Sequence, residues 1–357
     1  MTGTSRAVSE NPYESKDYFH QLLRKAVAAA ASDIHLKVGQ PPGVRVSGEI
    51  HYFKVDRLMP DHTESLARII LGPKADDDYM GELLEHDCSY AVSGLGRFRV
   101  NIYRQRGCFS IVMRSVPVKV PTLEELDLPP AITELAARER GLILVVGAAG
   151  NGKSTTLAAM VHRVNETRSG HIVTIEDPIE FIHTDKRGSI SQREIGIDTK
   201  NFASALRAAL RQDPDLILVG EIRDGETMEI ALQAAETGHL VLSTMHTPDV
   251  GRTVNRILAL SDNPTELRER IADCMQGIVA QRLVPTTDGR MTAACEVLIV
   301  TGTVREAIKR PDNAPPLKEL MERGVTPYGM QTFQMAFKQL VQQGKVTKEI
   351  AQAQLGF

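Results

Sequence analysis

The chain has 357 residues, of which 42 % are hydrophobic and 24 % charged, with a formal net charge of −3. That length suits two domains that each bury a core, and the near-neutral balance argues against a dedicated nucleic-acid binder. No apolar run approaches the length of a membrane span, and residues 1–14 lack the apolar core of a signal peptide, so a cytoplasmic location is expected, with membrane contact peripheral only.

Residues 1–16 are rich in Ser, Thr, Asn and Glu and read as a flexible tail. Phe19, Leu22, Leu23, Ala26, Val27 and Ala30 then recur at three and four residues, the stripe of a helix with one buried face. Short strands follow over 34–38, 43–46 and 49–53, broken by Pro41-Pro42 and Ser47-Gly48. Helices near 63–71 and 79–85 precede strands over 88–92, 97–104 and 109–114, which makes residues 17–116 a small α+β domain. Alternation puts Arg97 and Arg99 on one strand face, with Arg114 on a neighbouring strand. Two readings stand for them: a solvated polar face, or arginine fingers that meet the phosphates of a nucleotide bound elsewhere. Two prolines, Pro117 and Pro121, mark residues 117–130 as an interdomain linker.

From Gly141 apolar runs alternate with helical patterns, the signature of a parallel α/β sheet over 131–357. Strands are expected over 142–146, 172–175, 216–219 and 240–244. Helices are expected over 265–280, over 305–309 and along the stripe Phe333, Ala336, Phe337, Leu340 and Val341. The first strand stops at Gly147, and Gly147, Gly152, Lys153 and Ser154 complete G-x-x-x-x-G-K-[ST] between strand and helix. Such a loop turns backbone N–H groups inward around phosphates, so Gly147, Ala148, Ala149, Gly150, Asn151, Gly152, Lys153, Ser154 and Thr155 form the expected nucleotide site. Lys153 would reach the β- and γ-phosphates of ATP, and the Ser154 hydroxyl would ligate Mg2+.

In open α/β sheets ligands sit beyond the carboxyl ends of the strands, where the loop, residues 176–180, Glu221 and His246 would meet. Glu180 or Glu176 could orient or deprotonate the attacking water, while a polar loop with an N-cap carboxylate is the plainer alternative. After the strand at 216–219 the usual aspartate position is Gly220, which leaves Glu221 to serve the magnesium side through water. His239 and His246 flank the next strand, and one at a strand tip facing the loop could sense the γ-phosphate. Cys88, Cys108, Cys274 and Cys295 show no C-x-x-C pair, so reduced thiols and no structural zinc are expected.

Taken in order, the sequence resembles the type IV pilus retraction ATPases, the PilT/PilU branch of the secretion-type P-loop ATPases. The likeness is carried by Ala31-Ser32-Asp33-Ile34-His35-Leu36, Arg97-Phe98-Arg99-Val100-Asn101, the phosphate loop, and Thr174-Ile175-Glu176-Asp177-Pro178-Ile179-Glu180-Phe181. Val219-Gly220-Glu221-Ile222-Arg223-Asp224, Ala235-Glu236-Thr237-Gly238-His239-Leu240 and Gly329-Met330-Gln331-Thr332-Phe333 complete it. The resemblance implies a RecA-like core with a smaller PAS-like N-terminal domain, assembled as a homohexamer that hydrolyses ATP with Mg2+ to drive pilus retraction and twitching motility. It further implies Glu180 as catalytic glutamate, Glu221 as the atypical Walker B glutamate, a histidine box from His239 to His246, and arginine fingers at Arg99 and Arg114 with Arg97 beside them. Expected partners are an inner-membrane pilus platform protein, at which the hexamer docks, and a paralogous retraction ATPase. The family's Ala-Ile-Arg-Asn-Leu-Ile-Arg-Glu segment is here Thr303-Val304-Arg305-Glu306-Ala307-Ile308-Lys309-Arg310, and the stretch after Pro315 is closer to the PilU side, so a PilU-like accessory role is the alternative.

Overall fold

The computed structural model describes residues 11–117 and 119–356, so residues 1–10 of the expected tail, residue 118 of the expected linker and residue 357 lie outside the described residues. The chain divides into two units, Met1–Val118 and Lys119–Phe357. Pro12–Glu14 form a 3-10 turn with Tyr13 buried, so the chain is packed from there rather than free up to residue 16. Ser15 then accepts the backbone N–H of Tyr18 and opens the helix Lys16–Ala28, whose Phe19, Leu22, Leu23 and Ala26 are buried.

In the first unit that helix and the helix Pro60–Leu71 share a core with a six-stranded antiparallel sheet. Its strands are β1 (Asp33–Lys37), β2 (Gly43–Val46), β3 (Glu49–Tyr52), β4 (Glu85–Val92), β5 (Gly96–Gln105) and β6 (Cys108–Val116), in spatial order β3-β2-β1-β6-β5-β4. Phe98, Val100 and Ile102 on β5 are buried in that core, and alternation sends Arg97 and Arg99 to the other face.

The second unit is built on a seven-stranded sheet of β7 (Gly141–Val146), β8 (His171–Glu176), β9 (Ser189–Glu194), β10 (Leu216–Val219), β11 (Leu240–Met245), β12 (Met275–Pro285) and β13 (Met291–Ile299). The order is β13-β12-β7-β11-β10-β8-β9, and every pairing is parallel except that of β13. Strands β7, β10 and β11 are buried at every position, because helices cover both faces of a parallel sheet. This is the α/β class that the sequence implies.

The expected helix over 265–280 is corrected: the helix Pro264–Cys274 ends and β12 begins at Met275. A short apolar run such as Ile278-Val279-Ala280 has no periodicity that separates a strand buried on both sides from a core helix, and pairing with β7 decides it. Strands β9 and β13 add to the strands expected from the apolar runs. Residues 119–130 do not hang free, since Leu123 is buried and Leu126 and Leu128 pack against the core of the second unit. None of the four cysteines is in a disulfide, and burial pushes the thiols of Cys274 and Cys295 up to about 12. Among the described residues no helix is long and apolar enough to cross a membrane.

Candidate nucleotide-binding active site

The phosphate loop springs from β7 and ends in the helix Lys153–Thr167. Gly152 caps that helix in a left-handed conformation, φ 76°, and offers no side-chain acceptor, so the first-turn N–H groups stay available to an anion. Gly147 has φ 149°, and a Cβ there would stand 2.6 Å from the Gln281 carbonyl oxygen on β12. Asn151 ties the loop to the same strand, its Oδ1 accepting the Leu283 N–H at 3.0 Å. Strand β12 therefore shapes the floor of the loop.

Lys153 is 8 % exposed and its Nζ donates to the carbonyl oxygens of Gly147 and Ala148, both at 3.0 Å. Burial lowers its pKa from the usual lysine value, against a weaker opposing pull from the Glu221 charge.

Ala149, Gly150, Lys153 and Ser154 line a cavity of about 250 Å³ together with Glu176, Glu180, Glu221 and His246. Four separated segments thus meet beyond the carboxyl ends of β7, β8, β10 and β11. The tips of β10 and β11 are locked to each other. Ser243 Oγ donates to the Val219 carbonyl at 2.7 Å, Thr244 Oγ1 to the Gly220 carbonyl at 2.8 Å, and the Ile222 N–H to the Thr244 carbonyl at 3.0 Å. Gly220 occupies the usual aspartate position, where a Cβ would fit closely, 3.1 Å from the Ile175 carbonyl oxygen and 3.3 Å from the Phe202 ring.

Glu221 is 9 % exposed. Its Oε1 pairs with Arg223, while His246 Nε2 stands 3.4 Å from Oε2 without hydrogen-bond geometry, leaving that buried oxygen without a hydrogen bond. Glu176 is differently placed. Thr174 Oγ1 and Gln192 Nε2 donate to its Oε1 at 2.7 and 3.1 Å, and the Glu180 N–H points to Oε2 at 3.4 Å. Burial raises its pKa despite those donors. A carboxyl engaged on both oxygens suits holding the loop, and Glu180, Asp177 and Glu221 line the same cavity.

His239 does not join this group. It precedes β11 at the opposite edge of the sheet, where its Nδ1 lies 3.0 Å from the Ala234 carbonyl. Six strand residues separate it from His246, a span of about 20 Å. Arg97, Arg99 and Arg114 belong to the first unit: Arg99 and Arg114 are register partners, and Arg97 lies two positions before Arg99 opposite Val116.

Sequence reasoning passed over three contributors. His183 lines the cavity, and burial lowers its pKa to about 4. Gln281, 1 % exposed, lies under the loop. A second cavity of about 450 Å³ opens on the far side of Gly152, Thr155 and Thr156, bounded by Asp127, Leu128, Gln281, Leu283 and Lys345. Neither His183 nor Gln281 sits in a phosphate motif, and only the fold brings them to the loop. In the segment that departs from the retraction pattern, Arg305 donates to the Ala272 carbonyl at 3.0 Å and Lys309 pairs with Glu269 and Asp273 at 3.1 and 2.8 Å, so these two basic residues are engaged within the unit.

Comparison with known proteins gives the family and the fold. The family model for Type II/IV secretion system protein matches residues 11–354. The chain is 40 % identical over 333 residues to the type IV pilus retractation ATPase PilT of Pseudomonas aeruginosa, covering 93 % of this chain and 96 % of that protein. It is also 40 % identical over 340 residues to the type IV pilus ATPase PilU of the same organism, covering 94 % and 88 %. The crystal structure of the pilus retraction motor PilT with bound ADP superposes with a TM-score of 0.85 at 42 % identity, covering 94 % of this chain and 96 % of that one. The phosphate loop, its converging carboxylates and these likenesses place the chain in the Type II/IV secretion system protein family, as one of its ATPases.

Proposed function

We propose that this chain is an ATP-hydrolysing motor of type IV pilus retraction, working as a homohexamer docked at an inner-membrane pilus platform protein. The observation that carries the reading is the meeting of Lys153, Glu180, Glu221 and His246 in one cavity beyond the strand tips, in a chain similar along nearly its whole length to PilT. The loop N–H groups and Lys153 hold the phosphates, and the neighbouring cavity beside Thr155 and Leu283 takes the nucleoside. Glu180 orients the attacking water and accepts its proton. His246, at the tip of β11, meets the terminal phosphate, and Arg99 and Arg114 reach a neighbouring subunit's nucleotide, with Arg97 beside them.

The donor set fits Mg2+ in one particular way. Among the described residues no group of three or more His, Cys, Asp or Glu could hold a metal by itself, so the ion's ligands must come largely from the phosphates and water. Ser154 offers a hydroxyl in the first helical turn, and the buried Glu221 Oε2, without a hydrogen bond, suits a metal-bound water. Bound there, Mg2+ neutralises charge on the β- and γ-phosphates.

The test is magnesium-dependent ATPase activity of purified, oligomeric protein, compared with Glu180→Gln. Turnover should vanish in the variant while ATP still binds, and a wild type without turnover would sink the reading. A second reading, an accessory retraction ATPase whose own turnover is secondary, is supported by the equal identity to PilU. Cells carrying Glu180→Gln separate the two, since full pilus function would favour the accessory role.

A further inference from the structure

Gln192 lies outside every motif that marks the site, yet its side chain bonds to the segment carrying Glu180. On the edge strand β9 it stands in register with Thr174 of β8. Its Nε2 donates to Glu176 Oε1 at 3.1 Å and to the Phe181 carbonyl at 2.9 Å, and its Oε1 accepts the His183 N–H at 2.8 Å. One amide thus holds residues 176, 181 and 183, with Glu180 between the first two. Two positions along, on the same strand face, Glu194 is 3 % exposed and its Oε2 accepts the Ile179 N–H at 3.1 Å. The edge of the sheet therefore clasps the arc 176–183 from both limbs.

We propose that Gln192 is a positioning residue for ATP hydrolysis, its amide fixing, through Glu176, Phe181 and His183, the backbone arc from which Glu180 reaches the nucleotide. The inference rests on the reading above, in which Glu180 acts on the attacking water. The chemistry requires an amide in particular. A carboxylate of the same shape could still accept from His183, but it could donate to neither Glu176 nor Phe181, and it would set a second anion against Glu176. An aliphatic side chain would leave the Phe181 carbonyl and the His183 N–H without these partners. These hydrogen bonds of Gln192 go to residues 176, 181 and 183 and not to the phosphate loop, so ATP affinity is expected to stay near that of the wild type.

The experiment is Gln192→Glu in the full chain, with kcat and KM for Mg-ATP hydrolysis measured beside equilibrium ATP affinity. A carboxylate displaced by about an ångström loses on the order of tenfold to a hundredfold in kcat, while ATP affinity changes by less than about threefold. Gln192→Met, of similar length with no donor and only a weak thioether acceptor, carries the same expectation should the extra charge prevent folding. The same substitution is then made on Glu180→Gln, in a single-turnover assay that resolves slow residual hydrolysis. If Gln192 acts through Glu180, the second change costs less than about twofold there. Equal losses in both backgrounds, an unchanged kcat, or a loss confined to ATP affinity would overturn the inference and leave the role of Glu180 standing. Wild-type turnover in Glu180→Gln alone would instead remove the reading on which the inference rests.

Discussion

Arg99 and Arg114 stand opposite each other on β5 and β6, and Arg114 Nε donates to Asp33 Oδ1 on β1 at 2.9 Å. Asp33 is in turn the register partner of Arg45 on β2, so four strands carry Arg45, Asp33, Arg114 and Arg99 in one row. Burial alone would raise the Asp33 pKa, but hydrogen bonds from Ser32 and Arg114 outweigh it and hold the carboxyl below the usual range. The anchored carboxylate orients Arg114 while its side chain stays 67 % exposed.

Replacing Arg114 by alanine takes a charge-assisted hydrogen bond from the buried Asp33, so a stability loss of about 1.5–3 kcal/mol is expected, and Arg99, partly buried beside it, can be replaced in the same way. As fingers, the same residues should cost roughly a thousandfold in turnover while ATP still binds. Mixed oligomers of Arg114→Ala and Glu180→Gln subunits should recover activity wherever an intact arginine meets an intact carboxylate. Their ATPase rate, measured against each variant alone, checks the intersubunit arrangement.

Lys153→Ala removes a buried ammonium that bonds to two loop carbonyls and would serve the phosphates. Nucleotide affinity should fall by about 1.5–3 kcal/mol, with turnover falling alongside it, as titration calorimetry and a steady-state assay would show. Because burial lowers the Lys153 pKa, ATP affinity of the wild type should decline at a lower alkaline pH than an ordinary lysine would dictate. That added decline should be missing from the variant.

Gly147→Ala tests the floor of the loop. The new Cβ would meet the Gln281 carbonyl oxygen at 2.6 Å, on a backbone with φ 149° that L-residues rarely adopt. Strain of about 1–3 kcal/mol is expected. A lowered urea midpoint together with weakened nucleotide binding is the predicted outcome, whereas Gly150→Ala meets no atom within 4 Å and should show only the cost of its positive φ.

His183 supplies the pH dependence. Its pKa falls from 6.5 to about 4 on burial, so between those values the unfolded chain binds a proton that the folded chain does not. Stability must then rise with pH across that window and be lost on acidification, by an amount on the order of 3 kcal/mol for this one group. Urea unfolding of His183→Gln at pH 4.5 and pH 7 should show a smaller difference than the wild type.

What could be read from residues alone was local. Residues 142–146, 216–219 and 240–244 announce strands because burial on both faces demands unbroken apolar runs. The phosphate loop announces itself because close approach and positive φ demand glycine at Gly147 and Gly152. The strand β12 was hidden because apolar periodicity cannot tell a fully buried strand from a helix segment, and its place beside β7 is a long-range pairing. His239 and His246 look equivalent in sequence, but a strand has two ends, and only His246 stands at the phosphate edge. The division of labour between Glu176 and Glu180 was left open by spacing. What the fold adds is the pair of donors on Glu176, Thr174 and Gln192, through contacts that exist only once β8 and β9 pair.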